Sequence, residues 1–243
     1  MRLIRNLISG LTELVYPKTC HACKNRLGAL SIDELICEDC WSKITKNLPP
    51  FCYCCGRSLI GRKFTRNVCI SCLRQNLNFD RAFSPCVYDG VLKELIHAFK
   101  YHQKDYLGRT LAKLMINFTE EFNFPMDYMD AIIPIPLSAS RMREREYNQA
   151  QILAAHIAKE HKKGLFTQTI QRQKNTRSQT ELQDRQRAEN VKGAFAIKDA
   201  SSIKNKNILL IDDVLTSGAT CSEAAGILKN AGANIVYVLT LAS

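Results

Sequence analysis

The sequence predicts an α/β protein in which a parallel sheet flanked by helices is preceded by a small cysteine-rich module. From about residue 78, short aliphatic runs alternate with amphipathic segments, a pattern typical of parallel sheets with helical crossovers. Before that point, cysteines recur at a fixed spacing. The 243 residues, 46% of them hydrophobic, can form one large or two smaller packed domains. We therefore divide the chain into segments 1–17, 18–77 and 78–243.

The first segment, residues 1–17, is predicted to be an amphipathic helix. Leucines and isoleucines recur along one side of it, with Arg2 and Arg5 beside them. Such a stripe usually packs against the protein's own body or a partner, which we favour over a helix lying on a membrane surface. No run approaches the roughly 18 apolar residues of a membrane span, and no signal-peptide pattern is found. We expect a cytoplasmic protein, with the inner face of the cytoplasmic membrane as the alternative location.

The cysteines of segment 18–77 form a repeat. Two C-x2-C turns are separated by 13 residues, and the same arrangement returns 32 positions later. The two quartets are Cys20, Cys23, Cys37 and Cys40, then Cys52, Cys55, Cys69 and Cys72. Four thiolates at this spacing are typical of closed, structural zinc sites, so we predict two zinc ions. We favour sequential quartets over a cross-braced pairing, and Cys54 stays an alternative ligand in the second quartet.

The segment after residue 78 is interpreted as alternating strands and helices. Besides the aliphatic run 208–211, the predicted strands cover residues 81–90, 130–137, 167–172 and 233–242. The predicted helices cover residues 91–102, 107–118, 148–160 and 221–231. Ligands of such sheets bind beyond the carboxyl ends of the strands, which directs attention to the residues that follow each strand.

The aliphatic run 208–211 leads into two adjacent carboxylates, Asp212 and Asp213, and then into a hydroxyl-rich loop before a helix. Backbone N–H groups at a helix N-terminus attract an anion, and a phosphate suits such a loop. The residues concerned are Thr216, Ser217, Gly218, Ala219 and Thr220. Neither the lysine of a GxxxxGK[ST] motif nor a GxGxxG motif is present. Adjacent carboxylates can accept hydrogen bonds from the vicinal hydroxyls of a sugar.

The string "ILLIDDVLTSGAT" closely resembles the signature of type I phosphoribosyltransferases. The resemblance implies that Asp212 and Asp213 hold the ribose 2′ and 3′ hydroxyls of phosphoribosyl pyrophosphate (PRPP). It also implies that the 216–220 loop holds the 5′ phosphate. The sequence is thus expected to fold as a type I phosphoribosyltransferase-like parallel sheet behind a zinc-ribbon module.

Two more segments are expected at the same edge of the sheet. "PLSASRMREREYNQA" follows the strand at 131–135 and offers Arg141, Arg143 and Arg145 to a pyrophosphate group. Segment 172–195 is long, polar and without apolar periodicity. We favour a mobile lid that closes over the substrate, and the alternative is simple disorder.

Taken together, the cysteine turns, "RMREREYNQ", "GAF", "ILLIDDVLTSGAT" and four further residues resemble the ComF family of competence proteins. Those four residues are Gln179, Leu182, Arg187 and Asn190. The family commonly has glycine at the position of Glu146. The resemblance implies a role in DNA uptake during natural transformation, with PRPP and single-stranded DNA as ligands. It also implies a competence helicase or other DNA-uptake proteins as partners.

Two function classes remain open. In the first, the chain is an active phosphoribosyltransferase that uses PRPP with Mg²⁺ in nucleotide or gluconate-linked metabolism, its acceptor unknown. Asp212 and Asp213 would then orient the ribose, while Arg141 and Arg145 would stabilise the departing pyrophosphate. In the second, it is a DNA-binding protein of natural transformation that retains PRPP binding. The net charge of +11 favours polyanionic partners without choosing among them. We favour the second class and leave turnover undecided.

Overall fold

The computed structural model describes residues 17–28, 30–101, 103–174 and 189–243. The predicted N-terminal helix and the middle of the predicted lid lie outside these residues.

The strands are β1 (Ser31–Ile32), β2 (Ile36–Cys37), β3 (Phe64–Thr65), β4 (Val68–Cys69), β5 (Arg81–Phe83), β6 (Ala131–Pro134), β7 (Gly164–Leu165), β8 (Ile170–Arg172), β9 (Phe195–Ile197), β10 (Asn207–Val214) and β11 (Ile235–Ala242). The helices are α1 (Glu38–Ser42), α2 (Ile70–Leu73), α3 (Gly90–Lys100), α4 (Leu107–Glu121), α5 (Ala139–Arg145), α6 (Gln149–Glu160) and α7 (Ala219–Asn230), with a 3-10 turn at Met126–Tyr128.

A five-stranded parallel sheet forms the centre of the molecule, which confirms the predicted α/β class. Its order is β5-β11-β10-β6-β7, so β10 lies in the middle. Two strand predictions need correction. The predicted strand 81–90 forms a regular strand only at β5, and after it a single parallel bridge joins Cys86 to Ala242 of β11 before the chain enters helix α3. The predicted strand 167–172 does not join this sheet, since β8 pairs with β9 in a separate antiparallel ribbon, and the unpredicted β7 forms the edge.

Each face of the sheet is covered by its own helices. Successive residues of a strand point to opposite faces, so Leu209 and Ile211 face one core while Ile208 and Leu210 face the other. Helices α3, α4 and α6 supply the first core, and α7 supplies the second. This burial on both faces explains why the run 208–211 is continuously aliphatic rather than alternating.

The two cysteine repeats pack on opposite faces of the same sheet. The first ribbon (residues 18–44) contributes Ile36 and Ile44 to the core formed with α3, α4 and α6. The second ribbon (residues 50–76) contributes Leu59 to the core formed with α7. Short strand pairs, β1 with β2 and β3 with β4, connect the cysteine turns within each ribbon. Within the described ranges, no helix has the length and apolar character to cross a bilayer.

Candidate functional site

The eight repeat cysteines form two separate tetrads. In each tetrad the four Sγ atoms lie within 4.8 Å of one another, and the grouping is the sequential one favoured from the spacing. The Cys23 and Cys37 sulfurs are 3.9 Å apart, as are the Cys55 and Cys69 sulfurs. Zn–S bonds of about 2.3 Å at tetrahedral angles require a separation of about 3.8 Å. The tetrads thus fit two structural zinc ions, and Cys54 is not a member of either.

The tetrads differ in burial although their local geometry repeats. The backbone N–H of Cys37 lies 3.4 Å from the Cys20 sulfur, and that of Cys69 lies 3.4 Å from the Cys52 sulfur. Such N–H donors stabilise the thiolate form that a metal requires. Cys23 of the first tetrad is exposed, whereas all four cysteines of the second are buried. The second site is therefore the more enclosed one.

Asp212 and Asp213 lie at the carboxyl end of the central strand β10. The neighbouring strand β6 makes its last pairing where Pro134 stands opposite Ile211, so both carboxylates lie beyond that strand's end. Pro136 has no N–H group and cannot extend the pairing. The two acids line one pocket together with Arg141, Arg145, Arg172 and Thr220. The sequence-predicted acids and two of the three predicted arginines thus converge.

The short helix α5 determines which of its arginines enter this pocket. It begins after Ser138, whose hydroxyl accepts a hydrogen bond from the Arg141 N–H. Arg141 and Arg145 are four residues apart and share one side of the helix, while Arg143 is exposed on another. The Arg145 guanidinium donates to Gln149 Oε1 over 3.0 Å and stacks on Tyr101 at 5.2 Å. The prediction that Arg143 faces the pocket was wrong.

Two charged residues of the pocket were not singled out from the sequence, although Arg172 begins segment 172–195, which was expected at this edge. Lys100, the last residue of α3, forms an ion pair with Asp213 at 2.8 Å, and both side chains are less than a fifth exposed. Arg172 enters from β8, with its guanidinium 5.4 Å from the Phe195 ring centroid. Neither belongs to a recognisable motif, and both are brought in by elements distant along the chain. Only the shared carboxyl edge of the sheet could have suggested them.

The segment predicted as the 216–220 loop follows β10 in the predicted strand, loop and helix order, but its last two residues, Ala219 and Thr220, already belong to the first turn of α7. Gly218 has φ +80°, a conformation in which a side chain would be strained. Helix α7 starts directly afterwards at Ala219, so the first-turn N–H groups lie beside the loop. The backbone N–H of Leu215 donates to the Ala242 carbonyl over 2.9 Å and fixes the start of the loop against β11.

The pocket concentrates charge of both signs. Burial and the adjacent Asp213 carboxylate raise the pKa of Asp212 to about 7. The Cys221 thiol donates to Asp212 Oδ2 over 3.8 Å, and burial raises the pKa of that thiol well above its usual value. Burial and the charge of Arg141 lower the pKa of Arg172 to about 10, so this guanidinium is still charged at neutral pH. The arrangement suits a ligand that carries several phosphates and neighbouring hydroxyl groups.

Several residues of the predicted lid and motif lie outside the described part of the chain. These residues are Gln179, Leu182 and Arg187. The described ends of segment 172–195 are Arg172 in β8 and Phe195 in β9, which pair with each other in register. The proposed closing movement of this segment stays a prediction.

Fold and site together define a phosphoribosyltransferase-type domain carrying a double zinc ribbon. A double zinc ribbon domain model matches residues 11–74, and a phosphoribosyl transferase domain model matches residues 148–243. The second match contains Asp212, Asp213 and the 216–220 loop, and the first contains both tetrads.

Relatives with the same arrangement extend over most of the chain. Competence protein ComFC of Bacillus subtilis is 30% identical over 217 residues, which cover 85% of this chain and 82% of the relative. Competence protein F of Haemophilus influenzae is 29% identical over 85% of this chain and 90% of its own length. DNA utilization protein YhgH of Escherichia coli K12 is 26% identical over 85% of this chain and 89% of its own. The chain belongs to the ComF family of competence proteins.

Proposed function

We propose that this chain binds PRPP at the carboxyl edge of its sheet and acts in DNA uptake. The observation that carries the PRPP proposal is the convergence of two carboxylates and three arginines in one pocket beside the 216–220 loop. These groups match the three parts of PRPP, which are a vicinal diol, a pyrophosphate and a phosphate monoester. Each part would meet groups of complementary charge or hydrogen-bonding character.

The residues have distinct roles in this proposal. Asp212 and Asp213 accept hydrogen bonds from the ribose hydroxyls, and Lys100 compensates the charge of Asp213 before the ligand arrives. Arg141, Arg145 and Arg172 hold the pyrophosphate. The 216–220 loop and the N-terminus of α7 hold the 5′ phosphate. Mg²⁺ would enter with PRPP and neutralise pyrophosphate charge.

Calorimetric titration of PRPP with Mg²⁺ tests this site. Charge-assisted hydrogen bonds contribute about 1.5–3 kcal/mol each, so changing Asp212 and Asp213 to Asn should weaken binding by about 100-fold or more. The Asp212→Asn single variant leaves Lys100 paired with Asp213 and serves if the double variant does not fold. Asp199→Asn removes an exposed carboxylate from outside the pocket and is the matched control. Equal affinity of the wild type and the double variant would contradict the proposal.

The biological role rests on the relatives. Two are named as competence proteins and one as a DNA utilization protein. A role in DNA uptake is the function that these names share.

Turnover of PRPP is the second candidate. It would be detected as release of pyrophosphate by the wild type in the presence of nucleobases or other acceptors, and Asp212→Asn should abolish that release.

Single-stranded DNA binding is the second part of the proposal. The hairpin of β3 and β4 exposes Phe64 among the basic side chains of Arg62, Lys63 and Arg66. Nearby, Tyr53 is 62% exposed, and the Arg81 guanidinium lies 4.7 Å from its ring centroid. Aromatic rings among cations are typical of surfaces on which bases stack and phosphates bind. An ordinary solvated basic surface would be the alternative interpretation.

Fluorescence anisotropy with a labelled oligonucleotide separates these interpretations. Binding should weaken steeply between about 50 and 200 mM salt if phosphates are contacted. Changing Tyr53 and Phe64 to Ala should weaken binding by about 1–3 kcal/mol per stacked base. Tyr128→Ala removes an even more exposed ring, from the 3-10 turn, and should have no effect. Absence of binding by the wild type at low salt would contradict this part of the proposal.

A further inference from the structure

The second ribbon contacts the backbone that leads into the 216–220 loop. Arg57 follows the Cys52 to Cys55 turn, and its Nη2 donates to the carbonyl oxygen of Leu215 over 2.7 Å. The same Nη2 also donates to the carbonyl oxygen of Thr216. A residue of the zinc ribbon therefore holds two consecutive peptide groups at the start of the candidate phosphate site.

These two hydrogen bonds orient the N–H groups of the loop. In a trans peptide the C=O and N–H bonds point in opposite directions. The Leu215 carbonyl shares its peptide plane with the Thr216 N–H, and the Thr216 carbonyl shares its plane with the Ser217 N–H. Holding both carbonyls toward the ribbon therefore turns both N–H groups away from it. Neither N–H has a hydrogen-bond acceptor among the residues that the structure describes.

Arg57 is itself held by the turn that carries the second tetrad. The Cys52 N–H donates to the Arg57 carbonyl over 2.8 Å, and the Gly56 N–H donates to the Cys52 carbonyl over 3.0 Å. The turn also lies directly on strand β5, because a Cβ at Gly56 would be 2.4 Å from the Ala82 carbonyl oxygen. The Arg57 side chain thus starts from a backbone fixed on one side by the metal ligands and on the other by the sheet.

The segment that directly follows the second ribbon supports the same region. Leu77 and Phe79 lie 3.6 Å from the Cβ position of Gly218. Asn78 donates from its backbone N–H to the Ser222 hydroxyl over 3.0 Å and from its side chain to the Ser222 carbonyl over 3.1 Å. The segment that follows the second tetrad therefore fixes the first turns of α7, while Arg57 fixes the backbone before the loop.

We propose that Arg57 is a positioning residue of the PRPP site, which makes the second zinc ribbon part of the structure that recognises the 5′ phosphate. This inference rests on the proposed PRPP function. Arg57 would not touch the ligand and would act through the direction of the Thr216 and Ser217 N–H groups. Its effect should be confined to the monoester end of PRPP, because the pyrophosphate end is held by arginines from α5 and β8.

The experiment compares PRPP with inorganic pyrophosphate, each titrated calorimetrically with Mg²⁺. Arg57→Ala should weaken PRPP binding about tenfold, since a hydrogen bond from a charged donor is lost. Its affinity for pyrophosphate should not change. Arg57→Lys should restore part of the PRPP affinity, because an ammonium can donate to one of the two carbonyls. Arg26→Ala is the matched control, since Arg26 is an exposed arginine at a similar position in the first ribbon.

Each outcome has a distinct meaning. Failure of the wild type to bind PRPP would contradict the proposed function itself. PRPP binding by the wild type with unchanged affinity in Arg57→Ala would overturn only the positioning role. Equal losses for PRPP and pyrophosphate would also overturn it, because that pattern indicates general loss of structure. If Arg57→Ala does not fold, Arg57→Lys tests the positioning role instead. This variant should bind PRPP more weakly than the wild type and should bind pyrophosphate with unchanged affinity.

Discussion

The two zinc ribbons have the same cysteine spacing and different surroundings. The first ribbon packs on the helical face formed by α3, α4 and α6, and one of its cysteines is exposed. The second ribbon has a fully buried tetrad and lies against the backbone that leads into the 216–220 loop. A duplicated module can thus repeat its metal-ligand spacing in sequence while, among the described residues, it is the second copy that hydrogen-bonds to the backbone of the candidate phosphate loop. The two ribbons therefore differ in the parts of the protein that they contact and not in their metal ligands.

The strongest test of this comparison removes one ligand from each ribbon. Cys55→Ser and Cys23→Ser change equivalent positions, and each should lose one zinc, because structural sites need all four thiolates. Both should lower stability by several kcal/mol. Only Cys55→Ser should lose PRPP affinity, by more than about tenfold, because it also frees Arg57. Zinc content, thermal unfolding and calorimetry measure the three effects.

Equal loss of PRPP affinity in both variants would contradict the proposed difference between the two ribbons. It would mean that the ribbons stabilise the domain as a whole and that neither has a specific relation to the loop. Retained affinity in Cys55→Ser, with its zinc lost, would also contradict the role given to the second ribbon.

The pH dependence of PRPP binding tests whether Asp212 belongs to the binding site and whether the first ribbon affects it. The pKa of Asp212 is raised to about 7, so the carboxylate form that accepts hydroxyl hydrogen bonds increases as pH rises through neutrality. Affinity should rise about tenfold between about pH 6 and 8, as expected for one group titrating near 7. The stability of the free protein should depend on pH in the opposite direction from the PRPP affinity. Because the folded state favours the protonated acid, the free energy of unfolding should fall as pH rises from about 4 to 7.

Two variants test whether the ionisation of Asp212 causes this pH profile. Asp212→Asn should bind weakly and keep only the shallower dependence due to the phosphates of PRPP, which the wild type shares. Cys23→Ser should keep the wild-type profile, because none of the described residues that line the Asp212 pocket belongs to the first ribbon. A wild-type profile that is flat after correction for the ligand would argue against a titrating Asp212.

Asp33 provides a test of how the first ribbon is attached. It accepts hydrogen bonds from the Thr110 hydroxyl over 2.8 Å and from Lys113 Nζ over 2.6 Å, both on α4. Asp33→Asn should lower stability by about 1 kcal/mol and leave PRPP affinity unchanged. The hydrogen bond from Lys113 lowers the pKa of Asp33, so its stabilisation is present above pH 3.8 and is lost as pH falls through the folded-state pKa. Chemical unfolding of wild type and variant at neutral and acidic pH measures this contribution.

The smallest expected effect concerns a residue outside both ribbons. Glu146 ends helix α5 with φ +66°, where glycine is free of steric strain. Glu146→Gly should raise stability by about 0.5 kcal/mol, since the strain relieved slightly exceeds the added chain entropy and the loss of the exposed hydrogen bond from Gln103 Nε2 to the Glu146 carboxylate. Glu144→Gly lies inside the same helix and should instead lower stability by about 1 kcal/mol. Thermal unfolding of the two variants compares them directly, and destabilisation by both would contradict this explanation.

Much of the candidate site could be predicted because it is local in sequence. The aliphatic run, the adjacent acids and the loop are consecutive, so their order alone places Asp212 and Asp213 beside a helix N-terminus. The zinc tetrads are similarly local, with each pair of cysteines in one short turn. Arg143 shows the limit of such reasoning, because its exclusion from the pocket depends on the helical turn of α5, which is not among the helices predicted from the sequence.

Local sequence was sufficient to predict the ligand spacing of both tetrads, the buried central strand and the acids at its end, because each follows from side-chain type and short-range periodicity. Tertiary structure alone decided that Lys100, Arg172 and Arg57 meet the same strand and loop. It also decided that the two ribbons occupy opposite faces of the sheet. The physical reason is that these contacts join residues far apart in the chain. They depend on how helices and ribbons share the buried surface of one sheet, and no local pattern encodes that choice.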